Sequence, residues 1–389
     1  MNSNREDILR RSVAVIIFAI LLALPAASVL ATDEAGGYQP AVIELIDLLD
    51  SRPDLQASLE GAVSRADLQG IDDVPAFLGY IDDLITLVPT EREVVPECLK
   101  FYYIVNQASD DYLNNDEQFS EWMKRLVRAW GSFLDTPASA AGIATFMEAK
   151  NYNIDDYIQG PSGWQTFNQF FAREVKSGRR PIAEPRNDKV VVSPADAVFM
   201  GQWPIDEDSN ITVKGATWAI ADLLDGSPYE DAFSGGIYTH SFLYIDDYHR
   251  YHVPVAGTVK ELRKISGKVY MDVFREPDGT LNVVDGDTYQ FNQERGLIVI
   301  DSPEVGLVAV LPIGMAYVSS VNLTTEVGAE LRKGDQFGYF MFGGSDIVTV
   351  FQDRNVVLDA EVGRKYLQGQ RLGSRQVPAA NTATDARLP

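Results

Sequence analysis

The sequence predicts an α+β protein, with an N-terminal all-α helical domain ahead of a β-rich domain. Two observations carry that prediction. From about Gln39 to Lys150 apolar residues recur at helical spacing, and from Lys189 onward short β-branched runs alternate with turn residues. The expected boundaries are a signal peptide over 1–31, a helical domain over 32–157, a β-rich domain over 158–366 and a disordered tail over 367–389.

The first segment has a basic start (Arg5, Arg10, Arg11), an apolar run from Ser12 to Leu24, and small residues suited to cleavage at Val29-Leu30-Ala31. That is the pattern of a secretory signal. Val13 to Ala31 is also nearly long enough for an uncleaved anchor, but Pro25 and the small residues after it favour cleavage. The expected place of work is outside the cytoplasm, in a periplasm.

In the helical segment, Val42, Leu45, Ile46 and Leu49 follow the i, i+3, i+4, i+7 rule, and Ser51-Arg52-Pro53 breaks that helix. Leu55, Leu59 and Val63 make a second stripe. Phe77, Ile81, Leu84 and Ile85 make a third, and Phe119, Met123, Leu126, Trp130 and Phe133 a fourth. Stripes of this kind build a core. Strands are expected from Val190 to Val192, Ile237 to Ile245, Val253 to Leu262, Val269 to Phe274, Leu297 to Ile300, Leu307 to Leu311, Tyr317 to Leu323 and Ile347 to Phe351. A helix is expected from Thr217 to Leu224. After Tyr366 the chain is polar and small.

The 389 residues carry a net charge of −23, with no basic stripe to neutralise phosphates, which argues against nucleic acid. The same charge gives no attraction to an anionic membrane surface. The one cysteine, Cys98, excludes an intrachain disulfide and a Cys-rich metal site.

Chemistry concentrates in three places. Gly343-Gly344-Ser345-Asp346 lies between apolar runs, and the glycines leave the Gly344 carbonyl open to the Ser345 hydroxyl. By itself this is also a Gly-Gly hairpin. Two of the chain's three histidines, His249 and His252, sit in Tyr-His-Arg-Tyr-His-Val-Pro; His240 reads as structural. Imidazole suits proton transfer near neutral pH. A metal would need a third ligand, from Asp246 or Asp247, and none is expected. Asp196, in Ser193-Pro194-Ala195-Asp196, is either a turn residue or an acid at a strand end. Together Asp196, His252 and Ser345 have the composition of an acid–base–nucleophile triad.

This set resembles the signature of the phosphatidylserine decarboxylases, from Asp196 through His249 and His252 to Gly344-Ser345. Phe170-Phe171-Ala172-Arg173-Glu174 with Arg180-Pro181-Ile182, Pro254-Val255-Ala256-Gly257, and Lys333 to Phe340 also match, so the resemblance runs from about Trp164 to Phe351. The N-terminal region, with Trp130 to Leu134 and Ser139, resembles the extra domain of a subset that includes soluble decarboxylases of aromatic amino acids.

The resemblance implies a self-processing enzyme. His252, oriented by Asp196, would deprotonate Ser345; the chain would split between Gly344 and Ser345; and residue 345 would become a covalent pyruvoyl cofactor. A Schiff base between that group and a substrate amine would permit decarboxylation, with His249 returning a proton. The implied substrate is phosphatidylserine, with a free amino acid, aromatic ones included, as the alternative, and a non-cleaving binding homologue as a third reading. The resemblance also implies two fragments that stay associated, and it allows peripheral membrane contact and a homodimer. Two departures stand out. Ala197 replaces the usual Gly, and Asp346 replaces the usual Thr or Ser, which is expected to set a carboxylate beside the reacting centre and to raise the His252 pKa or repel a substrate carboxylate.

Overall fold

Five longer helices open the described chain: Pro40–Ser51, Pro53–Ala66, Val74–Ile85, Val94–Asn106 and Glu117–Leu134. Their starts follow local chemistry. Pro53 sits in the first turn of the second helix. Asp73 accepts from the Ala76 amide at 2.8 Å and Asp116 from the Phe119 amide at 2.9 Å, each satisfying a free donor at a helix start. The apolar stripes meet in one core containing Val42, Leu45, Leu59, Phe77, Ile81 and Trp122. The Trp122 indole donates to the Ala41 carbonyl at 2.8 Å.

The computed structural model describes residues 37–213, 216–284, 289–316, 320–342 and 345–376. The expected signal peptide, Gly343 and Gly344 lie outside the described residues. From Pro40 onward the described chain forms one compact unit.

Eighteen strands follow among the described residues. They are β1 (Val190–Val192), β2 (Ala197–Pro204), β3 (Asn210–Val213), β4 (Ala216–Ala219), β5 (Ile237–Leu243), β6 (Arg250–His252), β7 (Gly257–Ile265), β8 (Val273–Arg275) and β9 (Leu281–Val283). Then come β10 (Arg295–Ser302), β11 (Gly306–Gly314), β12 (Val321–Leu323), β13 (Glu330–Leu331), β14 (Gln336–Phe340), β15 (Ser345–Phe351), β16 (Val356–Leu358), β17 (Lys365–Tyr366) and β18 (Arg371–Arg375). The main sheet is antiparallel, in the order β13-β7-β10-β11-β15-β5-β2-β17. Two smaller sheets run β12-β14-β6 and β1-β18-β16.

Both faces of the main sheet are covered. Leu243, Ile298, Ile300, Val310, Ile347 and Phe351 pack on one side with Trp130, Phe146, Phe167, Phe171 and Phe342. The other side holds Tyr238, Leu297, Val299, Leu311, Ile313, Val348 and Val350. This is the period-two alternation of strands buried on both faces. Helical and sheet residues therefore share a core. Val269, Met271 and Val273 likewise join the helical core, and Asn106 donates to the Met271 carbonyl at 2.9 Å.

Three expectations need correction. The tail expected from 367 contains β18, which pairs with both β1 and β16. Its small residues serve tight strand packing: a Cβ at Gly373 would come within 2.2 Å of the Val357 carbonyl. The helix expected from Thr217 is confined to Ile220–Leu224, because Ala216–Ala219 pairs with β3 and Thr212 and Thr217 hydroxyls meet at 3.1 Å. Finally, β2 is a strand the sequence reading lacks; a register shift between Phe199 and Gly201 breaks its alternation.

Candidate active site

Ser345 is the first residue of β15. Its Cα partners are Gly314 on β11 and Leu243 on β5, so it sits at one end of the main sheet, between two strands. The side chain shares the face of Ile347 and Phe351, beneath the aromatic residues of the helical segment. It is wholly buried, and among the described residues its hydroxyl has no hydrogen-bond partner. An orphaned buried hydroxyl is costly, and such groups concentrate where function requires them. The chain approaching it is pinned by Phe342, whose amide donates to Asn168 Oδ1 at 3.3 Å and whose ring meets Phe171 and Trp130 edge-on.

His249 is the second orphan. It too is wholly buried, and among the described residues neither ring nitrogen makes a well-aligned hydrogen bond, with the Asp247 backbone within reach of the ring. Its ring stacks on Phe171 with centroids 3.9 Å apart, and Phe171 in turn meets Phe342 at 5.3 Å. The backbone carbonyl of His249 accepts from Phe340, five residues before Ser345. Burial, then the nearby Arg173 guanidinium, pushes its pKa well below the ordinary imidazole value. The ring is therefore neutral at neutral pH.

His252 ends β6. Nδ1 lies 2.8 Å from the Gly334 carbonyl, and Nε2 lies 3.2 Å from the Tyr248 hydroxyl. A carbonyl only accepts, so Nδ1 carries the proton and Nε2 keeps its lone pair, which accepts from Tyr248. Burial lowers the imidazole pKa to about 4. Burial likewise raises the Tyr248 pKa, so that phenol remains a donor.

Asp196 directly precedes β2. The register places Val198 opposite Phe242 and Ser345 opposite Leu243, so Asp196 lies at the same sheet end as Ser345, two strand spacings or about 10 Å away. The adjacent loop is tied to His252, whose amide donates to Pro194 at 2.8 Å. Yet the Asp196 carboxylate does not reach the imidazole. It accepts from Arg180 Nε at 2.9 and 3.0 Å, from Nη2 at 2.6 Å, and from the Gln368 amide at 2.8 Å. The expected hydrogen bond that orients His252 is replaced by that of the Gly334 carbonyl. The reason is competition: a forked guanidinium takes both carboxylate oxygens. Burial opposes the charge on Arg180, and its bonds to Asp196 outweigh that and hold its pKa above the ordinary value.

Asp346 corrects a further expectation. It is wholly buried, but on the face opposite Ser345, where Oδ2 lies 3.1 Å from His240 Nε2. That approach is close enough for an ion pair, though off the line of a hydrogen bond. The carboxylate therefore does not stand beside His252. Ala197 needs no left-handed backbone, since it is absent from the residues with positive φ and simply begins β2.

Arg180 and Tyr248 lie within the sequence motifs, but their roles are not legible from them. Gly334 carries φ +87° in the turn between β13 and β14, and glycine adopts that freely.

The comparisons bear on the same stretch. A family model described as phosphatidylserine decarboxylase matches residues 167–374, more than half of the chain. The chain belongs to that family. It is 32% identical over 253 residues to phosphatidylserine decarboxylase proenzyme 2 of Oryza sativa subsp. japonica, covering 64% of this chain and 39% of the relative. It is 27% identical over 285 residues to the phosphatidylserine decarboxylase proenzyme of Fusobacterium nucleatum, covering 73% and 90%. It is 27% identical over 317 residues to decarboxylase iboD of Amanita muscaria, covering 71% and 89%. The chain thus spans well under half of the rice relative and nearly all of the two others. Among the described residues, no helix is long and apolar enough to cross a membrane.

Proposed function

We propose that the chain is a self-processing, pyruvoyl-dependent decarboxylase that converts phosphatidylserine to phosphatidylethanolamine and CO₂. The observation that carries this reading is the buried Ser345 hydroxyl, without a hydrogen-bond partner among the described residues, at the sheet end where Asp196 also lies. Family membership and the proenzyme names of the relatives support it.

In the first stage, neutral His252 accepts the Ser345 proton on Nε2 once Tyr248 releases that lone pair. Oγ bonds to the Gly344 carbonyl carbon, and the Gly344–Ser345 C–N bond breaks, leaving an ester and a free amine. Loss of the residue 345 α-proton then breaks the Cβ–O bond. Gly344 departs as a carboxylate and residue 345 becomes dehydroalanine. Tautomerisation, addition of water and loss of ammonia leave a pyruvoyl group at position 345.

The Ser345 Oγ and the His249 nitrogens, which make no well-aligned hydrogen bond among the described residues, fit a group built at this point. When formed, the pyruvoyl carbonyl supplies the electrophile for the substrate amine and the sink for the electron pair left by CO₂. His249 retains one N–H in either neutral tautomer and returns a proton to the substrate carbon. Phe171 holds its ring in place. The aromatic cover of Trp130, Phe167, Phe171 and Phe342 excludes water.

The two fragments stay together after cleavage because β15 is hydrogen bonded on both sides, to β11 and β5. The basic start and apolar run before Thr32 support export, with the enzyme acting in a periplasm.

A free amino acid is the second reading. It is favoured by the net charge of −23, which opposes an anionic lipid surface, and by a relative whose printed name specifies no lipid. The test is CO₂ release from phosphatidylserine in mixed micelles, run beside free serine, tyrosine and tryptophan. Turnover of the lipid alone supports the first reading. Turnover of a free amino acid alone supports the second, and turnover of neither contradicts both.

A further inference from the structure

The sheet face opposite Ser345 holds a buried polar group that the steps above do not use. Asp346 pairs across the sheet with Ile313 on β11 and Phe242 on β5, and its side chain enters the core of Tyr238, Phe291, Leu311 and Val348. His240 lies on the same face, two residues from Phe242 along β5, with Nε2 3.1 Å from Asp346 Oδ2. Gln290 Nε2 lies 3.3 Å from the same imidazole nitrogen. All three side chains are buried.

We propose that Asp346 and His240 are a positioning pair, which fixes from the far face of the sheet the strand end whose first residue, 345, carries the reacting group. This rests on the reading of Ser345 as the self-processing residue.

Neighbouring side chains in a strand point to opposite faces, so a pinned residue 346 sets the roll of residue 345 about the strand axis. Before cleavage the chain through Phe342 also restrains that end. After cleavage residue 345 begins a fragment, and chain ends fray unless tied down. The ties that remain are the ladder to Gly314 and Leu243 and the side chain of Asp346. A buried carboxylate needs a partner, and His240 supplies one.

The test uses the full chain with His240→Gln, Asp346→Thr and the double substitution. Intact mass follows cleavage, thermal melting reports folding, and phosphatidylserine turnover gives kcat and KM. Folded His240→Gln should cleave at least about tenfold more slowly than wild type, with kcat down at least about tenfold and KM within about twofold. Asp346→Thr and the double variant should show a loss of similar size, because the same tether is broken in each and the two substitutions are not additive. Wild-type cleavage and kcat in folded His240→Gln would overturn the pair, as would a loss confined to melting temperature. If His240→Gln does not fold, the isosteric Asp346→Asn replaces it, and an unchanged kcat there overturns the pair. A wild-type chain that never cleaves removes the reading of Ser345 and the pair with it. Cleavage in wild type with unaffected variants removes the pair alone.

Discussion

The Tyr248 hydroxyl stands 3.2 Å from Nε2 of His252, on the lone pair proposed above to receive the Ser345 proton. The imidazole is held in its tautomer by the Gly334 carbonyl at 2.8 Å, and so keeps its orientation without Tyr248. Tyr248→Phe should therefore cleave at least as fast as wild type, and up to about fivefold faster if one hydrogen bond of about 1 kcal/mol no longer competes. A cleavage time course by gel checks this. A slowing beyond about tenfold would show instead that the phenol relays the proton.

The pH dependence of cleavage follows from burial. With the His252 pKa lowered to about 4, the base is already neutral at pH 5. The cleavage rate should be flat from pH 8 to 5 and fall as pH approaches 4. A midpoint near 6.5 would contradict that environment. Stability shows the other side of the same linkage. Unfolded histidine takes up its proton near pH 6.5, while folded His252 does so near pH 4. Between those values the unfolded state binds more protons, so stability should decline as pH falls, by about 1.4 kcal/mol per pH unit from this group. Urea titrations across that range measure the slope.

Arg180 and Asp196 form a buried ion pair with three close contacts. Arg180→Met leaves the carboxylate paired only with the Gln368 amide, and should cost about 3–5 kcal/mol in denaturant unfolding. Arg180→Lys retains the charge without the fork and should cost less. A loss below about 1 kcal/mol for the Met variant would mean that Asp196 finds another partner.

His249 separates the two stages. Its nitrogens make no well-aligned hydrogen bond among the described residues, and the ring is stacked on Phe171. His249→Gln should cleave within about threefold of the wild-type rate but lose about 100-fold or more in decarboxylation kcat. Equal losses in both stages would place His249 in self-processing instead.

Much of this site was legible in the sequence because its parts are polar residues set among apolar runs. Ser345, His249, His252 and Asp196 stand out for that reason, and all four are buried in the fold. What was not legible is which of them touch. The grip of Arg180 on Asp196 and of Gly334 on His252 joins segments 16 and 82 residues apart, and neither leaves a local pattern. The face of Asp346 was obscured by a boundary. The strand reads from Ile347 by its β-branched run, whereas β15 begins at Ser345, and those two added residues put Ser345 and Asp346 on opposite sides. The start of the tail reads as loop because Gly373 and its small neighbours have loop composition, while the fold uses them for close strand approach.

The most direct test of self-processing at Ser345 is the intact mass of the purified wild-type chain under denaturing conditions, beside Ser345→Ala. Two pieces are expected from wild type, the smaller running from position 345 to Pro389 with a pyruvoyl start, and a single uncut chain from Ser345→Ala. A wild-type protein that stays in one piece, with serine intact at 345, would contradict the account.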